Sequence, residues 1–185
     1  MTRALDIALA AGGLLCTAPL AGAAALAVRL LDGAPVLFVQ ERVGRHRRPF
    51  RVFKLRTMRD GEVIPIGRVL RATGIDELPQ LVNVLIGDMA VVGPRPLTAA
   101  DIARLGWERA RFDARFSVRP GITGLTQLNL SRYCDARVSW VLDRYYVQHA
   151  STLLDVQVCA ASMLCLLAGK RAAGRWLRRW IRGRA

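Results

Sequence analysis

The sequence has little acidic charge and almost no lysine. Its 185 residues include 28 Lys and Arg against 14 Asp and Glu, which gives a formal net charge of +14. Lys54 and Lys170 are the only lysines, so arginine carries most of the positive charge. Such a surface attracts phosphate in nucleic acid, in anionic lipid headgroups or in a nucleotide, and composition does not choose among them. A hydrophobic content of 52% excludes a disordered basic chain and suffices for one folded domain.

Cysteine and histidine are also scarce, which excludes most disulfide-rich and zinc-binding classes of protein. The cysteines show neither C-x-x-C spacing nor a Cys/His ligand pattern. They are Cys16, Cys134, Cys159 and Cys165. We interpret them as buried free thiols, in agreement with a reducing cytoplasm. The two histidines are isolated, and neither is given a catalytic role.

A long uncharged run, residues 7 to 28, follows the N-terminus. As a straight helix it is about 33 Å long, which is enough to cross a bilayer core of about 30 Å. Pro19 lies near its middle, where its ring collides with the carbonyl group of Leu15 and predicts a kink. The run is long for a signal peptide. A spanning helix and a helix that enters one leaflet, breaks and returns both remain open on these residues alone.

The next block, residues 33 to 58, predicts two short strands around an arginine-rich loop. Apolar residues mark the two strands: Val36 and Phe38, then Val52, Phe53 and Leu55. Lys54 and Arg56 alternate with apolar residues, which places both cations on one side of an extended segment. A charge run is usually a solvated loop, but this arrangement also suits a phosphate-facing surface.

An acidic pair, Asp76 and Glu77, stands out in the following segment. Apolar residues recur at helical spacing after it and predict a helix over about residues 77 to 86, ended by Gly87. Asp76 is therefore expected near the N-cap, where an aspartate often serves only as a cap.

The surroundings of this pair also allow a chemical role. A helix N-terminus attracts phosphate, and Lys54, Arg71 and Arg95 are available to surround the same point with positive charge. Cations keep a carboxylate ionised, so Asp76 is a candidate nucleophile toward phosphorus. Glu77 is a candidate to help hold Mg²⁺.

Five segments, in the same order, resemble the bacterial sugar transferase family. They are QERVG (40–44), FKLRTM (53–58), IDELPQLVNVLIGDMAVVGPRP (75–96), VRPGITGLTQLN (118–129) and LDRYYV (142–147). The resemblance covers roughly residues 3 to 160. Because the members are monotopic phosphoglycosyl transferases, it implies transfer of a sugar phosphate from a UDP-sugar to polyprenyl phosphate, usually undecaprenyl phosphate. It also implies release of UMP, use of Mg²⁺ and a place at the cytoplasmic face of the bacterial inner membrane.

The resemblance assigns roles to individual residues. It makes Asp76 the nucleophile of a phosphosugar-enzyme intermediate and Glu77 its partner, which either lies near the metal or positions the acceptor. Asp76 and Glu77 are the expected Mg²⁺ ligands. The expected contacts of the diphosphate or the lipid phosphate are Lys54, Arg56 and Arg71, with Asp143 as a further carboxylate near the site. We add Arg95 because of its charge. We also add Gly121, Gly124 and Gln127 as nucleotide contacts, although glycines in such a motif can serve the fold alone.

The expected fold is α+β: a small, mostly helical, membrane-associated domain with short strands and amphipathic interfacial helices. Residues 1–32 are expected to form a re-entrant membrane helix with its break at Pro19, and residues 33–168 the catalytic domain. Residues 101–116 predict one amphipathic helix with Ile102, Leu105, Phe112 and Phe116 inward. Residues 169–185 predict a basic amphipathic tail on anionic phospholipid.

Three departures from the family pattern leave an alternative function open. The segment between Met58 and Gly67 is short where members carry a longer acidic loop. Residues 129–131 read Asn-Leu-Ser where Asn-Gly-Arg is usual, and Ala18 precedes Pro19 where serine is common. The chain looks like the minimal catalytic form, and the alternative is an inactive member that acts as a membrane-associated binding protein. No nucleic-acid motif is present, so no nucleic-acid partner is expected. The sugar, the glycan pathway and the oligomeric state stay open.

Overall fold

Helices and three small sheets make up the α+β fold in a computed structural model that describes residues 2–128 and 136–168. The helices are α1 (Arg3–Asp32), α2 (Pro65–Thr73), α3 (Gln80–Ile86), α4 (Ala99–Leu105), α5 (Leu125–Leu128), α6 (Ala136–His149) and α7 (Thr152–Ala168). The strands are β1 (Leu37–Val43), β2 (Pro49–Leu55), β3 (Met58–Arg59), β4 (Glu62–Val63), β5 (Ala90–Val92) and β6 (Gly121–Thr123). β1–β2 and β3–β4 pair antiparallel, and β5–β6 pair parallel. The predicted tail, residues 169–185, and Cys134 lie outside the described residues.

Helix α1 is long and apolar enough to cross a membrane, and it is the one such helix in the described part of the chain. The expected break at Pro19 does not end it, since Pro19 lies inside an uninterrupted helix of 30 residues. A proline removes only one backbone donor, and the helix continues where its two sides are held by packing. The Thr17 hydroxyl donates to the Gly13 carbonyl at 2.7 Å in the turn before Pro19.

Both ends of α1 are fastened to the rest of the domain. Near its start, Arg3 donates to the Leu85 carbonyl at 2.9 Å. The buried carboxylate of Asp6 accepts from the Val91 backbone N–H at 3.0 Å. At its other end, Asp32 forms an ion pair with Arg56 at 2.6 Å. One face of α1 therefore belongs to the domain from end to end.

The faces of α1 differ in exposure. Ala10 packs in a core cluster with Val84, while Val28 packs in a second cluster with Leu70. The outward face carries exposed leucines, among them Leu15 at 80% exposure. An apolar surface that is left uncovered along such a helix indicates a membrane or another partner.

The β1–β2 hairpin confirms the two strands predicted around the arginine-rich loop. Its register places Gln40 opposite Val52 and Phe38 opposite Lys54. A tight turn through Asp60 and Gly61, both with positive φ, joins β3 to β4 in the shortened segment.

The amphipathic segment 101–116 is not the single helix that its pattern predicted. Helix α4 ends at Leu105, Gly106 adopts a φ of 66°, and a separate 3₁₀ helix covers Ala110–Phe116. Gly106 makes this left-handed turn without strain, so the helix ends there. The inward side was predicted correctly, because Ile102, Phe112 and Phe116 are buried together with Trp107.

The described cysteines are free thiols, as expected, but they are not all buried. Cys159 and Cys165 on α7 are half-buried, whereas Cys16 is exposed. Cys16 is exposed because it lies on the outward, apolar face of α1, where a small apolar side chain needs no cover from the domain.

Gly67 in α2 gives a test of this packing. Helix propensity alone favours alanine over glycine by about 1 kcal/mol. A Cβ at Gly67, however, would overlap the Thr57 carbonyl oxygen, which belongs to the backbone and cannot rotate away. We expect Gly67→Ala to lower the free energy of unfolding by about 1–3 kcal/mol. Thermal unfolding in detergent measures it.

Gly12 on α1 is the matched control. A Cβ there meets nothing within 4 Å, so Gly12→Ala should leave the melting temperature unchanged or raise it. A rise in the melting temperature for Gly67→Ala would contradict the close approach of α2 to Thr57.

Candidate active site

Asp76 and Glu77 lie in a 3₁₀ turn, Ile75–Glu77, between α2 and α3. Gly74 ends α2 in the left-handed conformation, and Pro79 is the N-cap of α3. Asp76 caps neither helix, so its expected place at the N-cap is wrong. With Pro79 as its N-cap, α3 begins later than the apolar spacing indicated. The Asp76 carboxylate therefore makes no capping hydrogen bond. The predicted end of α3 at Gly87 is confirmed, with a φ of 101°.

Strand β2 brings a cation to this turn. Lys54 Nζ donates to Glu77 Oε1 at 2.5 Å. The fully buried side chain of Asn83 in α3 fixes the strand, because Nδ2 donates to the Arg51 carbonyl at 2.7 Å. Its Oδ1 accepts from the Phe53 N–H at 3.1 Å. Because these two bonds fix β2 against α3, Lys54, which follows Phe53, lies beside Glu77.

The electrostatic environment of Asp76 opposes its negative charge. Burial raises its pKa above the usual value, and the neighbouring Glu77 carboxylate raises it further. Lys54 and Arg71 lower the pKa of Asp76, but by less than burial and Glu77 raise it. A poorly solvated carboxylate with a raised pKa is a stronger nucleophile in its ionised form than an exposed one.

Three cations converge on a narrow cleft beside this turn, which we call the basic cleft. It has a volume of about 20 Å³. Its polar lining is Arg42, Lys54, Glu77, Gln80, Arg95 and Gln127. The cleft thus brings together four of the residues predicted for the diphosphate and the nucleotide, Lys54, Arg95, Gly121 and Gln127, and adds Arg42 and Gln80.

Arg42 was not singled out from the sequence. It lies on β1, donates to the Pro96 carbonyl at 3.2 Å and is 3.6 Å from Asp101. Burial and the nearby positive charge of Arg95 lower its pKa. Two arginines forced together at a cleft favour a bound anion, which offsets their repulsion. The signal that could have found Arg42 is its place in the QERVG segment.

A larger, mainly apolar cavity of about 420 Å³ opens on the other side of Glu77. Helices α1, α3 and α7 contribute to its lining, with Leu20, Leu81 and Cys165 among the residues. Glu77 and Gln127 line both the apolar cavity and the basic cleft. The two spaces therefore meet at these two polar side chains.

Arg56 and Arg71 lie outside the basic cleft. Arg71 is exposed in the last turn of α2, from where it acts on the Asp76 charge. Arg56 is buried at the C-terminal end of α1, away from the basic cleft. There it donates to the Asp32 and Gly33 carbonyls at 2.9 Å. The expectation that Lys54 and Arg56 share a phosphate-facing surface is wrong, because β2 ends at Leu55 and the alternation ends with it.

Asp143 supports the site and lines neither cavity. Its buried carboxylate pairs with Arg115 at 3.0 Å and accepts from the Thr126 hydroxyl at 2.5 Å. Burial raises its pKa, and Arg115 opposes that rise. Arg115 also donates to the Arg95 carbonyl at 2.8 Å. Asp143 thus holds the backbone of Arg95 and, through Thr126, the residue next to Gln127.

Gly121 and Gly124 serve close approach between backbones. A Cβ at either position would collide with the backbone of Gly93. Gly121 also lines the basic cleft, and this fit brings α5 and Gln127 against the loop that carries Arg95. Gln127 Oε1 is buried and has no hydrogen-bond partner among the described residues.

The acidic pair fits Mg²⁺ that is shared with a substrate. In the described part of the chain no three or more His, Cys, Asp or Glu side chains form a metal-binding group. Mg²⁺ in phosphoryl transfer is commonly held by one or two carboxylates together with substrate phosphates. Asp76 and Glu77 meet that requirement, and an all-protein metal site is not formed by the described residues.

The sequence is similar to known sugar transferases along most of its length. The family model for bacterial sugar transferases matches residues 1–169. The uncharacterized sugar transferase EpsL of Bacillus subtilis is 38% identical, with 92% of this chain and 86% of that protein covered. The UDP-glucose:undecaprenyl-phosphate glucose-1-phosphate transferase of Caulobacter vibrioides is also 38% identical, at 92% and 71% coverage.

A third similar protein is named for a different sugar from the Caulobacter vibrioides enzyme. The UDP-N-acetylgalactosamine-undecaprenyl-phosphate N-acetylgalactosaminephosphotransferase of Aeromonas hydrophila is 35% identical over 90% of this chain and 44% of its own length. Similar sequences therefore carry the names of glucose and N-acetylgalactosamine enzymes, so the sequence similarity does not select one sugar.

The raised pKa of Asp76 predicts a stability gain on neutralisation. Folding favours its protonated form, so this group stabilises the fold below its ordinary pKa of 3.8, and the contribution is lost as pH rises through the raised pKa. At pH 7 we expect Asp76→Asn to melt at the wild-type temperature or a few degrees above it. The difference should shrink toward pH 4. Thermal unfolding at both pH values measures it.

Asp143→Asn is the control for this experiment. It removes the counterion of the buried Arg115, which should lower the melting temperature. A large loss of stability in Asp76→Asn at pH 7 would show that Asp76 is a structural carboxylate.

Proposed function

Because the chain belongs to the bacterial sugar transferase family, we propose that it transfers a sugar phosphate from a UDP-sugar to polyprenyl phosphate, releasing UMP. The observation that carries the proposal is the junction of the basic cleft and the apolar cavity at Glu77, the chain neighbour of the buried Asp76, which itself lines neither space. A polyprenyl phosphate has one anionic end and one long apolar end, and it needs adjacent sites of both kinds. The reaction is the first membrane step of exopolysaccharide or other glycoconjugate synthesis.

In the proposed reaction, Asp76 is the nucleophile. A carboxylate oxygen of Asp76 forms a bond to the sugar-bearing phosphorus, while the bond from that phosphorus to the bridging oxygen breaks. UMP leaves with the electron pair. The phosphate oxygen of the polyprenyl acceptor then attacks the same phosphorus, and the aspartyl oxygen leaves, which restores the free carboxylate.

The cations of the basic cleft bind the phosphates in this proposal. Lys54 exchanges Glu77 for a phosphate oxygen, and Arg42 and Arg95 bind the rest of the diphosphate. The exchange is needed because a cleft of about 20 Å³ has room for about one water molecule. Glu77, released from Lys54, would hold Mg²⁺ together with the diphosphate. The bound ion would supply further neutralisation of the phosphate charge.

Membrane association of the protein follows from α1 in the same proposal. Residues from both ends of α1 contact one domain body, so a helix that crossed the bilayer would carry part of that polar body into the lipid. We therefore propose that α1 enters only the cytoplasmic leaflet of the bacterial inner membrane. Its exposed leucines face lipid there, and an anionic phospholipid surface complements the arginine-rich chain.

The covalent step predicts an adduct on Asp76. With UDP-glucose or UDP-N-acetylgalactosamine, Mg²⁺ and no acceptor, intact-protein mass spectrometry should find a sugar-phosphate mass on Asp76. Asp76→Asn should abolish both the adduct and UMP release, because a neutral amide is a poor nucleophile.

Glu77→Gln distinguishes the role of Glu77 from that of Asp76, because it should slow the reaction and still allow some adduct to form. UMP release by Asp76→Asn at the wild-type rate would contradict the nucleophile assignment. A wild-type protein that releases no UMP with a panel of UDP-sugars and a polyprenyl phosphate would favour an inactive binding protein instead.

The topology predicts protection of the N-terminus. In a variant without native cysteines, Thr2→Cys should resist an impermeant thiol reagent in intact cells and react after lysis. Arg48→Cys, on an exposed loop of the domain, is the matched control and should behave in the same way. Labelling of Thr2→Cys alone in intact cells would establish that α1 spans the membrane.

A further inference from the structure

We propose that Gln80 is a further catalytic residue, whose side-chain amide donates hydrogen bonds to the non-bridging oxygens of the phosphoryl group during transfer. The proposal rests on the proposed function and deepens it. The residues assigned so far supply the nucleophile and positive charge. Among the described residues, the one other amide that lines the basic cleft, Gln127, donates to the Gly121 carbonyl at 3.3 Å.

Gln80 lines the basic cleft and is close in sequence to the acidic pair. It is the first residue of α3, four residues after Asp76 and three after Glu77, and the intervening chain is turned throughout. Its side chain lines the basic cleft together with Lys54 and Arg95, and it is only 3% exposed. A phosphoryl group held by these two cations and attacked by Asp76 lies next to the Gln80 amide.

The amide of Gln80 has no structural task in the described part of the chain. No described group forms a hydrogen bond with it. Asn83, one turn later, provides the contrast, because its amide is saturated by Arg51 and Phe53. The Gln80 amide is not among the fully enclosed unpaired atoms of the described residues, so it opens into the cleft, where a ligand can accept its hydrogen bonds.

A neutral amide suits this position better than another cation. Negative charge accumulates on the non-bridging oxygens as the phosphoryl group is transferred, and fixed N–H donors stabilise it. A lysine or arginine at position 80 would instead form an ion pair with Asp76 and make the nucleophile less reactive. The amide keeps both its protons throughout, so it takes no part in the bond making or breaking.

Gln80→Met tests the proposal, because methionine has a similar length and no donor. We expect adduct formation on Asp76, measured in a single turnover with UDP-glucose or UDP-N-acetylgalactosamine, to slow by about 100-fold. The KM for the UDP-sugar should change by less than about threefold, since the donor acts in the transition state. The melting temperature without substrate should not fall, because no protein hydrogen bond is lost.

Gln80→Glu is a second variant that keeps the shape of the side chain. It removes the amide donors as well and adds negative charge beside the transferred phosphoryl group, so adduct formation should be at least as slow as in Gln80→Met. Asn83→Leu is the control for a structural amide, and it should lower the melting temperature.

The outcomes distinguish a failure of the proposed function from a failure of the role of Gln80. A wild-type protein that forms no adduct contradicts the proposed function, and the role of Gln80 is lost with it. A wild-type protein that forms the adduct while Gln80→Met keeps its rate within about twofold overturns the role of Gln80 alone. A slow Gln80→Met that also melts at a much lower temperature, with Gln80→Glu as fast as wild type, would make Gln80 a structural residue.

Discussion

The side-chain amide of Asn83 joins the two halves of the candidate site. It offers the edge of β2 one donor and one acceptor, the pair of bonds that a neighbouring strand would offer. Helix α3 thus takes the place of a third strand, and the following residue of β2, Lys54, is held beside Glu77. Because Asn83 is fully buried, loss of either bond would leave a backbone group unpaired in the core. The contact between cation and acidic pair depends on this one side chain.

The sequence predicted those features that depend on neighbours along the chain. Alternating apolar residues indicated the β1–β2 hairpin, and Gly87 indicated the end of α3, because each is decided within a few residues. The inward residues of segment 101–116 were predicted even though the helix itself was not, since the aromatic side chains must be buried in either conformation. The acidic pair of Asp76 and Glu77 stood out by its charge in a basic sequence, and the family resemblance assigned its role, because periodicity alone does not distinguish such a pair from a helix cap.

The remaining features depend on contacts between distant segments. The sequence pattern predicts that Arg56 is a cation on a strand, like Lys54. Only the tertiary structure shows that Arg56 forms an ion pair with Asp32 at the end of α1. Arg42 and Gln80 become noticeable only when β1, α3 and the loop after β5 meet at one cleft. The expected break at Pro19 failed for a related reason. Helix α1 packs on the domain on both sides of Pro19, at Ala10 and at Ala24 and Val28, and a sequence pattern carries no information about that packing.

The placement of the carboxylate explains why a strongly basic protein keeps an acidic pair at this point. UDP-sugar is soluble and polyprenyl phosphate is held in lipid, so in the proposed reaction the two substrates reach Asp76 from opposite sides. The phosphates of both substrates have to use the same three cations of the basic cleft, Arg42, Lys54 and Arg95. In that proposed reaction a covalent bond to Asp76 would solve this problem, because it would store the sugar phosphate while UMP leaves and the lipid phosphate takes its place beside Lys54. The raised pKa of Asp76 serves the first step, since a poorly solvated carboxylate attacks phosphorus readily. The surrounding cations serve both steps, since each substrate brings its own negative charge to the same cleft.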